Sequence, residues 1–329
     1  MNSDETNNLA TLIIELMKEE RREEIKPLYK TLMSQVEEKK STIIETSTYL
    51  QELKDRVAGK INDAIIPTGF KDIDDRIFGA VKGNIMTICA RTGWGKTTLG
   101  LNIALNMIKE HKVGFVSLEM TEEEICDKIV SRIGRVRHSS LTINKFQDRE
   151  IQWIKDRAND IKYAIENLMR AYDCYNIETL ADTIEEMADR WCEIVFVDRL
   201  WMIEAPWNSQ PERIRTIMTK LKQLAIVRNI AIVAMQQLNR QMDGTTREPF
   251  MYDIADGSAI EKISSPILIM RRDDDYNTNI SIYKARRLNA ERYIDKNWRI
   301  DREEATMLKV RDDLWYSWFQ DYKKPEKPF

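Results

Sequence analysis

Along the first sixty residues the apolar positions recur at helical spacing. Leu12, Ile13, Leu16 and Met17, then Leu28, Leu32 and Val36, sit on helical repeats, and no glycine precedes Gly59, which predicts a small helical prefix. A second amphipathic stretch carries Leu50, Leu53 and Val57 on one face and Lys, Asp and Arg on the other. A stripe this narrow on a short helix needs a partner, either the body of its own chain or a neighbouring subunit. Residues 65–74, Ile-Ile-Pro-Thr-Gly-Phe-Lys-Asp-Ile-Asp, then break the helical pattern with Pro and Gly and mark the start of a main domain. From there short continuous apolar runs alternate with amphipathic stretches. We read strands at 85–90, 113–118, 193–198 and 230–235, and helices near 96–109, 121–134, 176–190 and 211–228. Residues 141–168 read as further helix and 169–174 as a short extra strand. This alternation predicts an α/β domain with a mostly parallel sheet flanked by helices.

The texture changes after Gln237. A polar stretch, 240–262, with Gly244, Pro249 and Gly257, is too long for a simple connection and reads as a functional loop. Beyond it, 266–270 and 279–287 read as strands joined by a turn at Asp273-Asp274-Asp275. There is no internal repeat.

The 329 residues suffice for one sizeable core and a small second unit, and their charges nearly cancel, at a net charge of −3. Any nucleic-acid contact must therefore come from a local stripe or from several subunits acting together. The four cysteines, Cys89, Cys126, Cys174 and Cys192, lack paired metal spacing and read as reduced core thiols. Met1-Asn2-Ser3-Asp4-Glu5 does not open a basic region followed by an apolar one, and no apolar stretch approaches the length of a membrane span. These features predict a soluble cytoplasmic protein.

The candidate chemistry centres on Ala90-Arg91-Thr92-Gly93-Trp94-Gly95-Lys96-Thr97-Thr98, lying between an apolar strand and a helix. A short buried strand, a tight loop with two glycines and a Gly-Lys-Thr opening a helix is the context of a phosphate cradle. Residues 91–98 supply backbone N–H groups, Lys96 a mobile positive charge, and Thr97 a hydroxyl for Mg²⁺. In an open parallel sheet ligands bind at the carboxyl ends of the strands. There, the second strand ends at Glu119, the third at Asp198 and the fourth at Gln236 and Gln237. Asp198 suits a metal-supporting carboxylate or a helix cap, Glu119 a base for attacking water or a capping residue, and either glutamine a γ-phosphate sensor or plain surface. Thr121 and Glu124 already have the spacing of a capping box, leaving Glu119 for another task. Lys284 and Arg286 share one face of a strand, about 7 Å apart, where they suit a phosphate clamp or a solvated edge.

With these residues laid out, the main domain resembles the ATPase domain of DnaB-type replicative helicases, in the RecA-like group. The resemblance covers roughly residues 42 to 300 and rests on 66–74, the Ala-Arg-x-x-x-Gly-Lys-Thr loop, Phe115-Val116-Ser117-Leu118-Glu119-Met120, 194–198, Gln237-Leu238-Asn239-Arg240, Asp256-Gly257-Ser258-Ala259-Ile260-Glu261 and Lys284-Ala285-Arg286. It implies a RecA-like sheet in 63–329 and a linker helix in 42–62 that docks on a neighbour, but in place of the family's fuller N-terminal domain there is only a small helical N-terminal segment in 1–41, a compact arrangement that suits a phage-like member. It further implies a ring, normally of six subunits, with ATP and Mg²⁺ held between neighbours. By that resemblance Lys96 and Thr97 hold the phosphates and metal, Asp198 supports the metal and Glu119 orients the water. Gln237 couples the γ-phosphate to a DNA-facing loop, while Lys284 and Arg286 reach the nucleotide of the adjacent subunit. Arg240, Asp256, Gly257 and Ser258 belong to the loop that grips single-stranded DNA, and a primase or helicase loader is the implied protein partner. Two further departures stand out: Ala255-Asp256 replaces the family's common Arg-Glu, and Asp198 is followed by Arg199 and Leu200 where an aromatic often stands. The leading expectation is an ATP-driven helicase translocating 5′ to 3′. The alternatives are a RecA-like oligomeric ATPase of recombination or regulatory type, and a non-unwinding DNA-binding assembly subunit.

Overall fold

Strand β3 (Ile85–Ala90) is buried along its whole length, and its side chains divide between two cores by the two-residue repeat of a strand. Met86, Ile88 and Ala90 enter one core, whereas Ile85 and Cys89 enter the other. The computed structural model describes residues 53–55, 57–58, 64–206, 209–239, 247–273, 277–283, 293–301 and 306–309. The chain divides into two compact units, Met1–Asn62 and Asp63–Phe329. In the first, residues 53–55 are helical and Leu53 and Val57 are exposed.

The second unit begins with β1 (Ile65–Ile66), α1 (Lys71–Ile77) and β2 (Ala80–Val81), which form a small antiparallel pair and a covering helix. Asp74 explains the opening segment's polar residues. Its carboxylate accepts hydrogen bonds from the Thr68 amide and hydroxyl, both at 2.8 Å, and from the Gly69 amide at 3.0 Å.

The chain then runs through α2 (Lys96–Met107), β4 (Val113–Ser117), α3 (Glu122–Gly134), α4 (His138–Thr142), α5 (Asp148–Asp156), α6 (Ala158–Asn167) and β5 (Leu168–Ala171). It continues with α7 (Ile177–Asp189), β6 (Ile194–Asp198), α8 (Gln210–Val227), β7 (Ala231–Gln237), α9 (Ser258–Ile263), β8 (Ile267–Arg272), β9 (Asn277–Tyr283), β10 (Tyr293–Asp301) and β11 (Thr306–Lys309). The main sheet has strand order β11-β10-β9-β8-β3-β7-β6-β4-β5. Strands β8, β3, β7, β6, β4 and β5 are parallel, and β9 to β11 extend the sheet antiparallel. One face is covered by residues of α2, α3 and α6, the other by residues of α7 and α8. Phe115 and Phe196 stack across β4 and β6 with ring centroids 5.8 Å apart. A Cβ on Gly100 would lie 2.0 Å from the Met235 side chain, so glycine lets α2 settle directly on β7. Among the described residues no helix is long and apolar enough to cross a membrane.

Three expectations change. The stretch 141–168 is not one helix: α5 starts afresh where Glu150 accepts from the Gln147 amide at 2.8 Å, and α6 follows a further break at Arg157. The supposed loop at 240–262 contains a 3₁₀ turn at Met251–Asp253 and runs into α9 from Ser258. Strands β10 and β11 had no counterpart in the sequence reading. The register of β10 against β9 shifts between Asp295 and Trp298, which breaks the alternation that identifies a strand. Of the expected strand 279–287, residues 284–287 lie outside the described residues, as do most of the helical prefix and linker.

Candidate nucleotide site

Between β3 and α2 the chain turns back on itself through Gly93 and Gly95, at φ 78° and 91°. That left-handed conformation costs a residue with a side chain about 1–2 kcal/mol, so glycine is the natural occupant. The first N–H groups of any helix lack intrahelical acceptors, and α2 has neither a side-chain cap at Gly95 nor an acidic residue in its first turn. The helix therefore directs donors and partial positive charge at whatever lies in the loop.

The sheet register brings the remaining chemistry to the same rim. Ala90 pairs with Gln237, Asp198 with Met235, and Ser117 with Asp198, so the ends of β3, β7, β6 and β4 are level. Lys96 donates from Nζ to Asp198 Oδ1, and Thr97 Oγ1 donates to Asp198 Oδ2 at 2.6 Å. This pair is withdrawn from water, with side-chain exposures of 8% for Lys96 and 1% for Asp198. Glu119 stands on the rim beyond β4, and the capping of α3 is done without it: Thr121 and Glu124 form a reciprocal capping box. Instead Arg199 holds Glu119, donating from Nε to Oε2 at 2.8 Å and closing a second contact from Nη2 to Oε1. Arg199 Nη1 also reaches Gln237 Oε1 at 3.4 Å, and Gln237 Nε2 donates to Thr92 Oγ1 at 2.8 Å.

These groups wall a cleft of about 300 Å³ lined by residues 90–93, 95–98, Glu119, Met120, Lys128, Arg199 and Gln237. Four cations, Arg91, Lys96, Lys128 and Arg199, face it or its wall, against the carboxylates of Glu119 and Asp198. Burial lowers the proton affinity of Lys128, with Glu124 and Asp198 opposing the effect, and burial also lowers that of Arg199. A cleft whose partly buried cations outnumber its carboxylates favours an anion. The donor set fits a magnesium-bound polyphosphate: N–H groups and Lys96 for phosphate oxygens, a hydroxyl and a carboxylate for the metal's coordination sphere.

The two glutamines separate. Gln236 is fully buried and donates from Nε2 to the Ala255 carbonyl at 3.0 Å, while Gln237 faces the cleft. The stem of the following loop is bonded to the same strand end: Ala255 N donates to Gln237 O at 3.0 Å, and Asn239 N to Asp253 O at 2.7 Å. Trp94, expected among the cradle residues, packs its ring against both cores and does not line the cleft. Asp256, Gly257 and Ser258 lie at the start of α9, away from the cleft, with Gly257 at the N-cap. Arg240, Lys284 and Arg286 lie outside the described residues. Arg199 and Lys128 are the cleft residues that sequence reasoning missed. A signal existed for Arg199, a charge directly after an apolar run ending in Asp; none existed for Lys128, one polar residue among many on α3.

A glycine-turned loop between β3 and α2 of a mostly parallel sheet, with carboxylates converging at the same rim, is an arrangement that RecA-like α/β folds share. Comparison with known proteins narrows this. The sequence profile of the DnaB-like helicase C-terminal domain family matches residues 65–311, and the chain belongs to that family. It is 31% identical over 231 residues to a probable plasmid replicative DNA helicase of Chlamydia muridarum, an overlap of 67% of this chain and 50% of that protein. It is 27% identical over 263 residues to the replicative DNA helicase DnaB of Helicobacter pylori, covering 78% and 52% of the two chains. The chain thus spans about half the length of the curated relatives it matches. Among solved structures, a separately solved ATPase domain superposes with a TM-score of 0.72 at 20% identity, over 81% of this chain and 99% of that one. A DnaB-like replicative helicase, described with its interactions with primase, gives 0.70 at 17% identity over 93% and 77%.

Proposed function

We propose that this chain is an ATP-dependent replicative DNA helicase, a ring-forming motor, normally hexameric, that moves 5′ to 3′ on single-stranded DNA. The supporting observation is the convergence of Lys96, Thr97, Asp198, Glu119 and Gln237 at the carboxyl rim of one sheet. In this reading the amides of 91–98 and Lys96 bind the phosphates, and Thr97 and Asp198 hold Mg²⁺. The metal, when bound, neutralises charge on the β- and γ-phosphate oxygens. Glu119 orients the attacking water and accepts its proton. Gln237 reports the state of the γ-phosphate to the loop stem bonded to it at Ala255. Lys284 and Arg286 complete the site of an adjacent subunit, and Arg240, Asp256, Gly257 and Ser258 serve the DNA-gripping loop. The exposed Leu53 and Val57 suit a linker helix, in 42–62, that docks on a neighbour; residues 1–41 form the N-terminal segment and 63–329 the motor. The working compartment is the cytoplasm, of a bacterium or of a phage-infected host, with a primase or loader as further partner.

The test is ATP hydrolysis with and without single-stranded DNA, followed by unwinding of 5′-tailed and 3′-tailed forks. DNA should stimulate hydrolysis, with a steep salt dependence, and only the 5′-tailed fork should open. Lys96→Ala should abolish turnover. Hydrolysis indifferent to DNA would favour a regulatory ATPase, and unimpaired hydrolysis by Lys96→Ala would sink the site.

A further inference from the structure

Among the cleft's cations, Arg199 is the one bonded to both Glu119 and Gln237, and the phosphate-cradle reading gives it no task. Arg199 follows the metal-supporting Asp198 directly and spends its three guanidinium nitrogens on Glu119 and Gln237. Its side chain is only 11% exposed, and its guanidinium carbon lies 5.3 Å from the centre of the Trp201 ring. Resting on that ring, the group is confined to the rim between the two residues that must act on the γ-phosphate side of a bound triphosphate.

The geometry points to Arg199 as a γ-phosphate reader within its own subunit: its guanidinium exchanges between Glu119, which it holds at two nitrogens, and the γ-phosphate of a bound triphosphate, and that exchange releases Glu119. This rests on the nucleotide-site reading above. The exchange is balanced in charge, since one anionic partner of the guanidinium replaces another, and the planar fork suits phosphate as well as carboxylate. It costs little at Gln237, because the Nη1 contact to Gln237 is long at 3.4 Å while the Gln237 amide keeps its 2.8 Å bond to Thr92. The consequence is selectivity. A diphosphate gives Arg199 no new partner and leaves Glu119 held, whereas a triphosphate both gains a charge-assisted bond and frees the base. Arg199 is thus a positioning residue for Glu119 and a specificity residue for the third phosphate.

The test is binding of ADP and of the non-hydrolysable analogue AMP-PNP, each with Mg²⁺, to the full chain by calorimetry. Wild type, Arg199→Ala and Arg199→Lys are compared, with Lys96→Ala as reference. Arg199→Ala should weaken AMP-PNP by several-fold, the excess of a guanidinium–phosphate pair over the guanidinium–carboxylate pair it replaces, and leave ADP within about twofold; Arg199→Lys should recover part of the loss. Unchanged ADP binding reports an intact fold. Equal weakening of both nucleotides, or no change in either, overturns the assignment of Arg199 while leaving the nucleotide site standing. If wild type binds neither nucleotide, or Lys96→Ala binds both as well as wild type does, the nucleotide-site reading fails and takes this assignment with it.

Discussion

Replacing Lys96 by Ala should do more than stop turnover: it should destabilise the protein in the absence of nucleotide. The ammonium is the charge partner of Asp198, whose side chain is 1% exposed. Removing one member of a buried pair costs about 3–5 kcal/mol, because the remaining charge is left desolvated. Two features reduce that figure. Thr97 Oγ1 still donates to the carboxylate at 2.6 Å, and Lys96 lines the cleft, so water can follow into the space it leaves. An expected loss of about 2 kcal/mol results. Adding Asp198→Asn to Lys96→Ala removes the stranded charge but keeps an acceptor for Thr97, so the double variant should be more stable than the single one by about 1 kcal/mol. Urea unfolding without nucleotide or divalent cation, followed by circular dichroism, reads this as a shift in midpoint at constant slope. If Lys96→Ala unfolds at the wild-type midpoint, or if Asp198→Asn costs further stability on top of it, the buried pair is not what stabilises the rim.

Two further outcomes follow from other parts of the chain. Glu150 is buried, and although burial alone would raise its proton affinity, hydrogen bonds from the Arg137 side chain, the Gln147 and Arg137 amides and the Ser140 hydroxyl bring its pKa down to about 2. A depressed folded-state pKa gives stability that is complete above the ordinary value of 4.5 and drains away as the pH falls towards 2; Glu150→Gln should cost about 2 kcal/mol at neutral pH and flatten that acid limb in pH-dependent unfolding. Mixing Arg286→Ala subunits with Glu119→Ala subunits should restore part of the ATPase that each lacks, measured at fixed total protein; strictly additive loss would mean that each site is complete within one chain.

The parallel half of the fold is legible in the sequence because its strands are buried on both faces and therefore read as continuous apolar runs, such as Ile-Val-Phe-Val in β6. The rim could be placed for the same reason: whatever polar residue ends such a run must lie at the carboxyl edge, which locates Lys96, Glu119, Asp198 and Gln237 without coordinates. The pattern fails where a local device overrides it. The bulge near Asp295 hides β10, and Glu150 reaching back to the Gln147 amide restarts a helix inside what reads as one amphipathic stretch. Side-chain partners were least legible. Nothing in the spacing says that the acid after β4 is held by the arginine after β6, eighty residues away, because that contact exists only once β4 and β6 are neighbours. Likewise Gln236 and Gln237 are equivalent as letters, and only the pleat decides which one is buried and which faces the cleft.

The direction of β9 bears on how one site would communicate with another. Because β9 runs antiparallel to β8, its last residue, Tyr283, pairs with Ile267, and Ile267 lies level with Thr87 in the middle of β3. The same residue is tied to the segment before α9: Tyr283 Oη donates to Pro249 O at 2.7 Å, and its ring meets Phe250 edge-on with centroids 5.2 Å apart. The other end of that segment is bonded to Gln237 through Ala255. Residues 249–255 therefore connect the end of the strand that leads to Arg286 with the glutamine that faces the cleft. Under the proposed reading, a shift of Gln237 on hydrolysis would move this short segment bodily, since it is held at both ends by hydrogen bonds. The DNA-gripping loop and the contact to the next subunit would then change together, with no long chain of side chains needed between them.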